Sequence, residues 1–165
     1  MKNQKIWIIA CVCVLLAATV GVGLYVRSSQ AEKELENAIT LKLGDKSIAV
    51  ALSDLGKVDF EGEIVDGKGD HHAHTYRGIE LKELLEANGI KAAEITEVTA
   101  ESADQYTAVL TGDEIREDAR VYVVIEMDGK PVSGIEDGTP GAQLVVFGDP
   151  NSRRNVRFLS IITVK

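Results

Sequence analysis

Ile6 to Val26 is a run of 21 residues without one charged side chain. No other feature restricts the chain so strongly. As a helix the run spans roughly 31 Å at 1.5 Å per residue, about the thickness of a bilayer's hydrocarbon core. Trp7 and Tyr25 lie near its two ends, where amphipathic rings prefer the membrane interface. Lys2 and Lys5 precede it, and Arg27 followed by Glu32, Glu34 and Glu36 comes after it. Positive-inside bias then places the N-terminus in the cytoplasm and the remaining chain outside. Three readings compete. The first is an uncleaved signal anchor over residues 1–27, a transmembrane helix that makes the protein single-pass in the cell membrane. The second is a signal peptide cleaved after Ser29-Gln30-Ala31, which releases the remainder as a secreted protein. The third is a lipoprotein acylated at Cys11, against which stands the short apolar stretch ahead of that residue. Cys11 and Cys13 otherwise read as lipid-facing or helix-packing thiols.

The chain has 165 residues, with 18 Lys+Arg against 26 Asp+Glu. Three of the bases and none of the acids fall in residues 1–31, so residues 32–165 carry 15 bases and 26 acids, net −11. That balance excludes a nucleic-acid partner, which needs a basic face. It also disfavours docking of the domain itself on anionic lipid. Both cysteines lie in the apolar run. Residues 32–165 therefore have no disulfide, no thiolate ligand and no cysteine nucleophile. A domain of this size is stable without cross-links.

Residues 28–38 are polar and charged and read as a tether; residues 39–165 read as one domain. β-type runs at Ile39–Leu43 and Ser47–Leu52 flank Gly44-Asp45-Lys46 as a hairpin. Val58 to Val65 alternates as a strand, and the segment from Asp66 through His72 reads as a polar, glycine-rich loop. Ile79 to Asn88 predicts a helix with Ile79, Leu81, Leu84 and Leu85 on one face, stopped by Gly89. Strands follow near 95–101 and 106–110. Thr111 with Glu114 has capping-box spacing for a short helix at 112–117. Val121 to Met127 is dense enough in apolar residues to be a central strand buried on both faces. Leu144–Phe147 and Phe158–Val164 close the pattern. The expected class is α+β, with a mixed, mostly antiparallel sheet and few short helices.

Tyr76-Arg77-Gly78-Ile79-Glu80-Leu81-Lys82-Glu83-Leu84-Leu85 combines an aromatic, a base, Gly and a Leu-x-x-Leu-Leu run. It resembles an element of the sulfite-oxidase-like molybdopterin-binding oxidoreductase domain superfamily. Ala103-Asp104-Gln105-Tyr106 resembles that family's Asp-Gly-Tyr, with Gln105 in place of Gly. Met127-Asp128-Gly129-Lys130-Pro131-Val132 resembles its Asn/Asp-Gly-x-Pro-Leu hairpin. Gly141–Val146 with Arg154–Val164 resembles its closing strand pair. The resemblance covers residues 39–165 and implies the family's fold. Catalytic members ligate molybdenum through a cysteine upstream of the Tyr-x-Gly element, and Val58–Val65 here has none. The chain is also much shorter than catalytic members. The resemblance therefore implies no tightly bound molybdenum and no carried-over enzyme activity, so no catalytic residue is assigned.

Candidate sites remain. Tyr76, Arg77 and Arg154 could bind a pterin-like ligand. Arg153, Arg154 and Arg157 form a basic cluster that could hold an anion bidentately or simply offset neighbouring acids. His71, His72 and His74 are the only histidines. If that segment is extended, His72 and His74 share a face and, with Asp70 or Asp66, could bind a divalent metal; the plainer alternative is a solvated polar loop. Asp66–Asp70 has a faint calcium-loop pattern but lacks the acid at the third position and the distal Glu. Tyr106 is expected to pack with its hydroxyl at a rim. The expected function is a membrane-anchored, extracytoplasmic, non-catalytic module binding a small ligand or a membrane redox partner. The alternatives are an oxidoreductase or electron carrier with a cofactor or metal near His72 and His74, and a surface interaction scaffold.

Overall fold

Residues that alternate in burial build two sheets in a computed structural model that describes residues 38–165. The apolar run Ile6–Val26, with its anchor reading, and the tether up to residue 37 lie outside the described residues. Among the described residues no helix is long and apolar enough to cross a membrane.

The first sheet has the order β2-β1-β10-β5-β6, from β1 (Ala38–Leu43), β2 (Lys46–Ala51), β5 (Glu97–Ser102), β6 (Thr107–Thr111) and β10 (Leu159–Val164). Only the β1–β10 pair is parallel; the others in this sheet are antiparallel. The second sheet contains β3 (Val58–Val65), β4 (His71–Glu80), β7 (Val121–Met127), β8 (Lys130–Pro131) and β9 (Gln143–Val146). β7 is its centre: β4 pairs along one side, and β8 and β9 pair along the other. This is the mixed, mostly antiparallel α+β arrangement that the patterning implies.

One core joins both sheets. It includes Ile39, Leu41, Val98, Leu110 and Ile162 from the first sheet and Ile79, Val123 and Leu144 from the second. Helix α1 (Leu81–Ala87) closes it with Leu81, Leu84 and Leu85. The expected helix started at Ile79, but Ile79 and Glu80 stay extended because they pair with Val123 and Tyr122 of β7. Tertiary pairing overrides helical periodicity there. The helix ends as the C-terminal glycine implies: the Gly89 N–H donates to the Glu86 carbonyl and the Ile90 N–H to that of Leu85, a Schellman arrangement. Helix α2 (Gly112–Arg116) begins in the expected capping box, with the Thr111 side chain accepting from the Glu114 N–H. The loop expected through His72 is shorter, because His71 already pairs with Val65 and opens β4.

Gly78 sets the approach of β4 to β7. A Cβ there would lie 2.3 Å from the Val123 carbonyl oxygen and 2.9 Å from the Val124 Cα. The β4–β7 register shifts between Arg77 and Gly78, leaving Ile125 as an extra residue in β7. This bulge resets alternation, so that Val124 and Met127 both pack on the same face, with Tyr76. Gly78→Ala should therefore lower stability by about 2–3 kcal/mol, because backbone cannot move aside as a flexible side chain can. Chemical denaturation of the variant checks this. Gly67→Ala, where a Cβ meets nothing within 4 Å, is the control and should stay within about 0.5 kcal/mol.

Candidate functional site

The second sheet has one face in the main core and another that carries its own aromatic cluster. Along β4, alternation sends His72, His74 and Tyr76 to this outer face and His71 and Arg77 to the opposite one. Tyr76 is buried against Val124 and Val145, with Phe60, Ile64, Tyr122, Met127, Val132 and Phe147 half-buried around it. The Phe60 ring stacks on Tyr122 at 4.2 Å and on Tyr76 at 5.5 Å. Phe147 meets Tyr76 edge-on at 5.6 Å. Gly62 makes room for it, since a Cβ there would fall 2.4 Å from the Phe147 ring.

The Tyr76 hydroxyl is buried and has no hydrogen-bond partner among the described residues. Burial, and then the Asp128 carboxylate, push its ionisation up to about 12. It is therefore a neutral phenol, whose donor meets no acceptor among the described residues. A buried polar group in this state costs free energy unless something pairs with it.

The histidines stand beside the cluster. His74 contacts Tyr76 edge-on at 5.9 Å, and its ring centroid lies 6.4 Å from that of His72, with the two planes at 21°. Each histidine has a carboxylate. His71 Nδ1 lies 2.6 Å from Glu63 Oε1, His72 Nε2 3.3 Å from Asp66 Oδ2, and His74 Nδ1 2.8 Å from Asp128 Oδ2. Asp66 Oδ1 accepts from the Lys68 and Asp70 N–H groups. Asp70 gives the turn its backbone groups, and the carboxylate beside His72 is that of Asp66. Among the described residues, no three His, Cys, Asp or Glu side chains are already gathered as a metal centre requires.

The three sequence-level ligand candidates are not brought together. Arg77 points away from Tyr76 and is occupied: its Nε donates to Asp59 Oδ1 at 2.7 Å and its Nη1 to Glu126 Oε1 at 3.3 Å. Arg154 is occupied too, donating from Nε to Asp149 Oδ2 at 2.7 Å and from Nη1 to Glu114 Oε1 at 2.6 Å. Asp149 is buried and also accepts from Arg120 at 3.1 Å. Of the two readings of the basic cluster, Arg154 follows the second and offsets acids; Arg157 lies over the Phe158 ring, and Arg153 offers its carbonyl to the hydroxyl of the exposed Tyr106. Gln105, which stands where the resemblance has Gly, takes a φ of +74°, the left-handed region that explains the family's preference.

Sequence reasoning did not single out Phe60, Tyr122, Phe147 or Asp128 for this site. The alternation of Phe60, Gly62 and Ile64 marked a common face on β3. Nothing local showed that Phe147, 87 residues beyond Phe60, would close it.

Residues 59–165 match the family described as "Oxidoreductase molybdopterin binding domain". The chain is similar in structure to the sulfane dehydrogenase SoxCD from Paracoccus pantotrophus, with a TM-score of 0.62 and 17% identity over 79% of this chain. It spans 38% of that chain's length, and the likeness establishes the fold alone. No curated protein matches it.

The Arg154 network predicts an acid sensitivity. Desolvation raises the Glu114 carboxyl, but the bonds from the Thr111 backbone and Arg154 outweigh it and hold the group below its ordinary 4.5. A carboxyl lowered by folding contributes stability that is complete above its unfolded value and is lost as pH falls through its folded value. Glu114→Gln should cost about 1–2 kcal/mol at neutral pH. It should also flatten the decline of the wild type below pH 4.5. Denaturation midpoints from about pH 7 to about pH 3 check both effects.

Proposed function

Because this chain belongs to the oxidoreductase molybdopterin-binding domain family, we propose that it is a membrane-anchored, extracytoplasmic module that binds a planar, pterin-like small molecule without catalysing oxo transfer. The unpaired Tyr76 hydroxyl amid half-buried rings carries this reading. An offset-stacked heterocycle gains from Phe60, Tyr122 and Phe147, and its carbonyl or ring nitrogen accepts the hydrogen bond that Tyr76 does not make with any described residue.

The donor set does not fit a thiolate-held molybdenum. Residues 38–165 contain no cysteine. In Val58–Val65, where the resemblance places the catalytic ligand, the face shared with Tyr76 holds Phe60, Gly62 and Ile64. Asp59, Glu61 and Glu63 alternate onto the other face, with Arg77 and His71 among their partners. They offer hard oxygens, where a soft sulfur sets the metal's ligand field.

Tyr76→Phe separates binding from folding. It removes an unpaired buried hydroxyl, so stability should rise by about 1 kcal/mol. The same change should weaken binding of pterin, measured by quenching of the probe's own fluorescence, by about tenfold from a Kd on the order of tens of micromolar. Phe147→Ala should weaken it further. No quenching by wild-type protein at about 1 mM pterin would overturn the ligand reading, as would stoichiometric molybdenum in protein made in a host that synthesises the cofactor. The anchored orientation rests on the Ile6–Val26 run and its flanking charges. Protease added to intact spheroplasts should degrade residues 32–165, and their protection would reverse the orientation.

A further inference from the structure

We propose that the outer face of β4, at the β3–β4 hairpin, is a site for a borderline divalent cation such as Zn2+, held by His72, His74 and Asp66. The site adjoins the aromatic cluster through His74, but its donors are not the groups proposed to hold a pterin, and it stands whether or not a pterin binds.

The distance between His72 and Asp66 carries the assignment. His72 Nε2 and Asp66 Oδ2 are 3.3 Å apart. That is long for a charge-assisted hydrogen bond, which runs to about 2.9 Å. It equals the edge of a tetrahedron of donors about 2.0–2.1 Å from a zinc ion. Asp66 Oδ2 is aimed, not free: Oδ1 is pinned by the Lys68 N–H at 2.8 Å and the Asp70 N–H at 3.0 Å.

His74 supplies the third donor. Its Nδ1 is bound to Asp128 at 2.8 Å, which leaves Nε2 as the free nitrogen. A carboxylate behind a ligating imidazole fixes the ring and raises its basicity. The Asp128 oxygen that does this job is itself held in place, because its companion oxygen accepts from the Thr75 N–H. The two rings are 6.4 Å apart by centroid. Sharing one tetrahedral ion requires a separation of about 5 Å, so they must close by about 1 Å. No three-ligand set is gathered among the described residues, so the ion itself must draw these partly exposed side chains together by rotation. Two imidazoles and one carboxylate select zinc, copper or nickel over calcium and magnesium, which prefer all-oxygen sets. His71 takes no part, because alternation puts it on the opposite face with Glu63.

The test is calorimetric titration of ZnCl2 into the full chain in detergent micelles at neutral pH. Cys11→Ser and Cys13→Ser are introduced first, so that their thiolates do not compete. One ion per chain is expected, with a Kd on the order of micromolar. His72→Ala and His74→Ala should each weaken binding about tenfold or more, and Asp66→Asn, which keeps the turn's acceptor, by several-fold. His71→Ala and Asp70→Asn should leave it unchanged, and CaCl2 should give no comparable heat. Absence of heat at about 1 mM zinc overturns the proposal. So does unchanged affinity in the His72 and His74 variants, or an equal loss on His71→Ala, which would mark a loose histidine cluster instead of a site.

Discussion

The close approach of β4 to β7 at Gly78 governs the second sheet. With no side chain there, the Val123 carbonyl and the Val124 backbone lie where a Cβ would otherwise sit. The adjoining bulge inserts Ile125 and turns Met127 to the same face as Val124. Ile79 enters the shared core, while Tyr76, three residues earlier, enters the outer cluster. Burial of one face thus holds in register the strand that presents the other. The candidate ligand residues inherit their positions from that packing.

Two kinds of polar arrangement result. Around Asp149, charges of both signs meet: Arg120, Arg154 and Glu114 join the start of α2 to the segment after β9 and commit Arg154 to two carboxylates. Around Tyr76 and the histidines the pairing is incomplete. Among the described residues the buried Tyr76 hydroxyl has no acceptor, and the exposed His72 has its carboxylate at 3.3 Å. Folding favours complete pairing of buried polar groups. Among the described residues the buried Arg120 Nε also lacks a hydrogen-bond partner; what sets the β4 face apart is that its unpaired hydroxyl lies among half-buried rings.

Family membership does not by itself fix the chemistry of this chain. The fold is that of molybdopterin-binding oxidoreductases, yet its described residues offer no thiolate. A fold positions side chains without prescribing what they do. Here it sets aromatic rings and imidazoles on β4, where Tyr76 and Gly78 belong to the family-like element.

Much of the scaffold was legible locally. Alternation located the strands, the Thr111–Glu114 spacing located a real capping box, and Tyr76-Arg77-Gly78 with Leu81, Leu84 and Leu85 pointed to the family. The apolar run and the acid excess are properties of the sequence alone, as is the absence of cysteine beyond Cys13. These are determined by neighbours in the chain or by composition, which is why they could be read without coordinates. Where the strand ends and the helix begins at Glu80 was decided by pairing with β7. Which arginines are free was decided by Asp59, Asp149 and Glu114. The meeting of Phe147 with Gly62, and of Asp128 with His74, joins residues 85 and 54 positions apart. Such contacts depend on sheet order and register, and periodicity along one strand carries no information about the strand that will lie beside it.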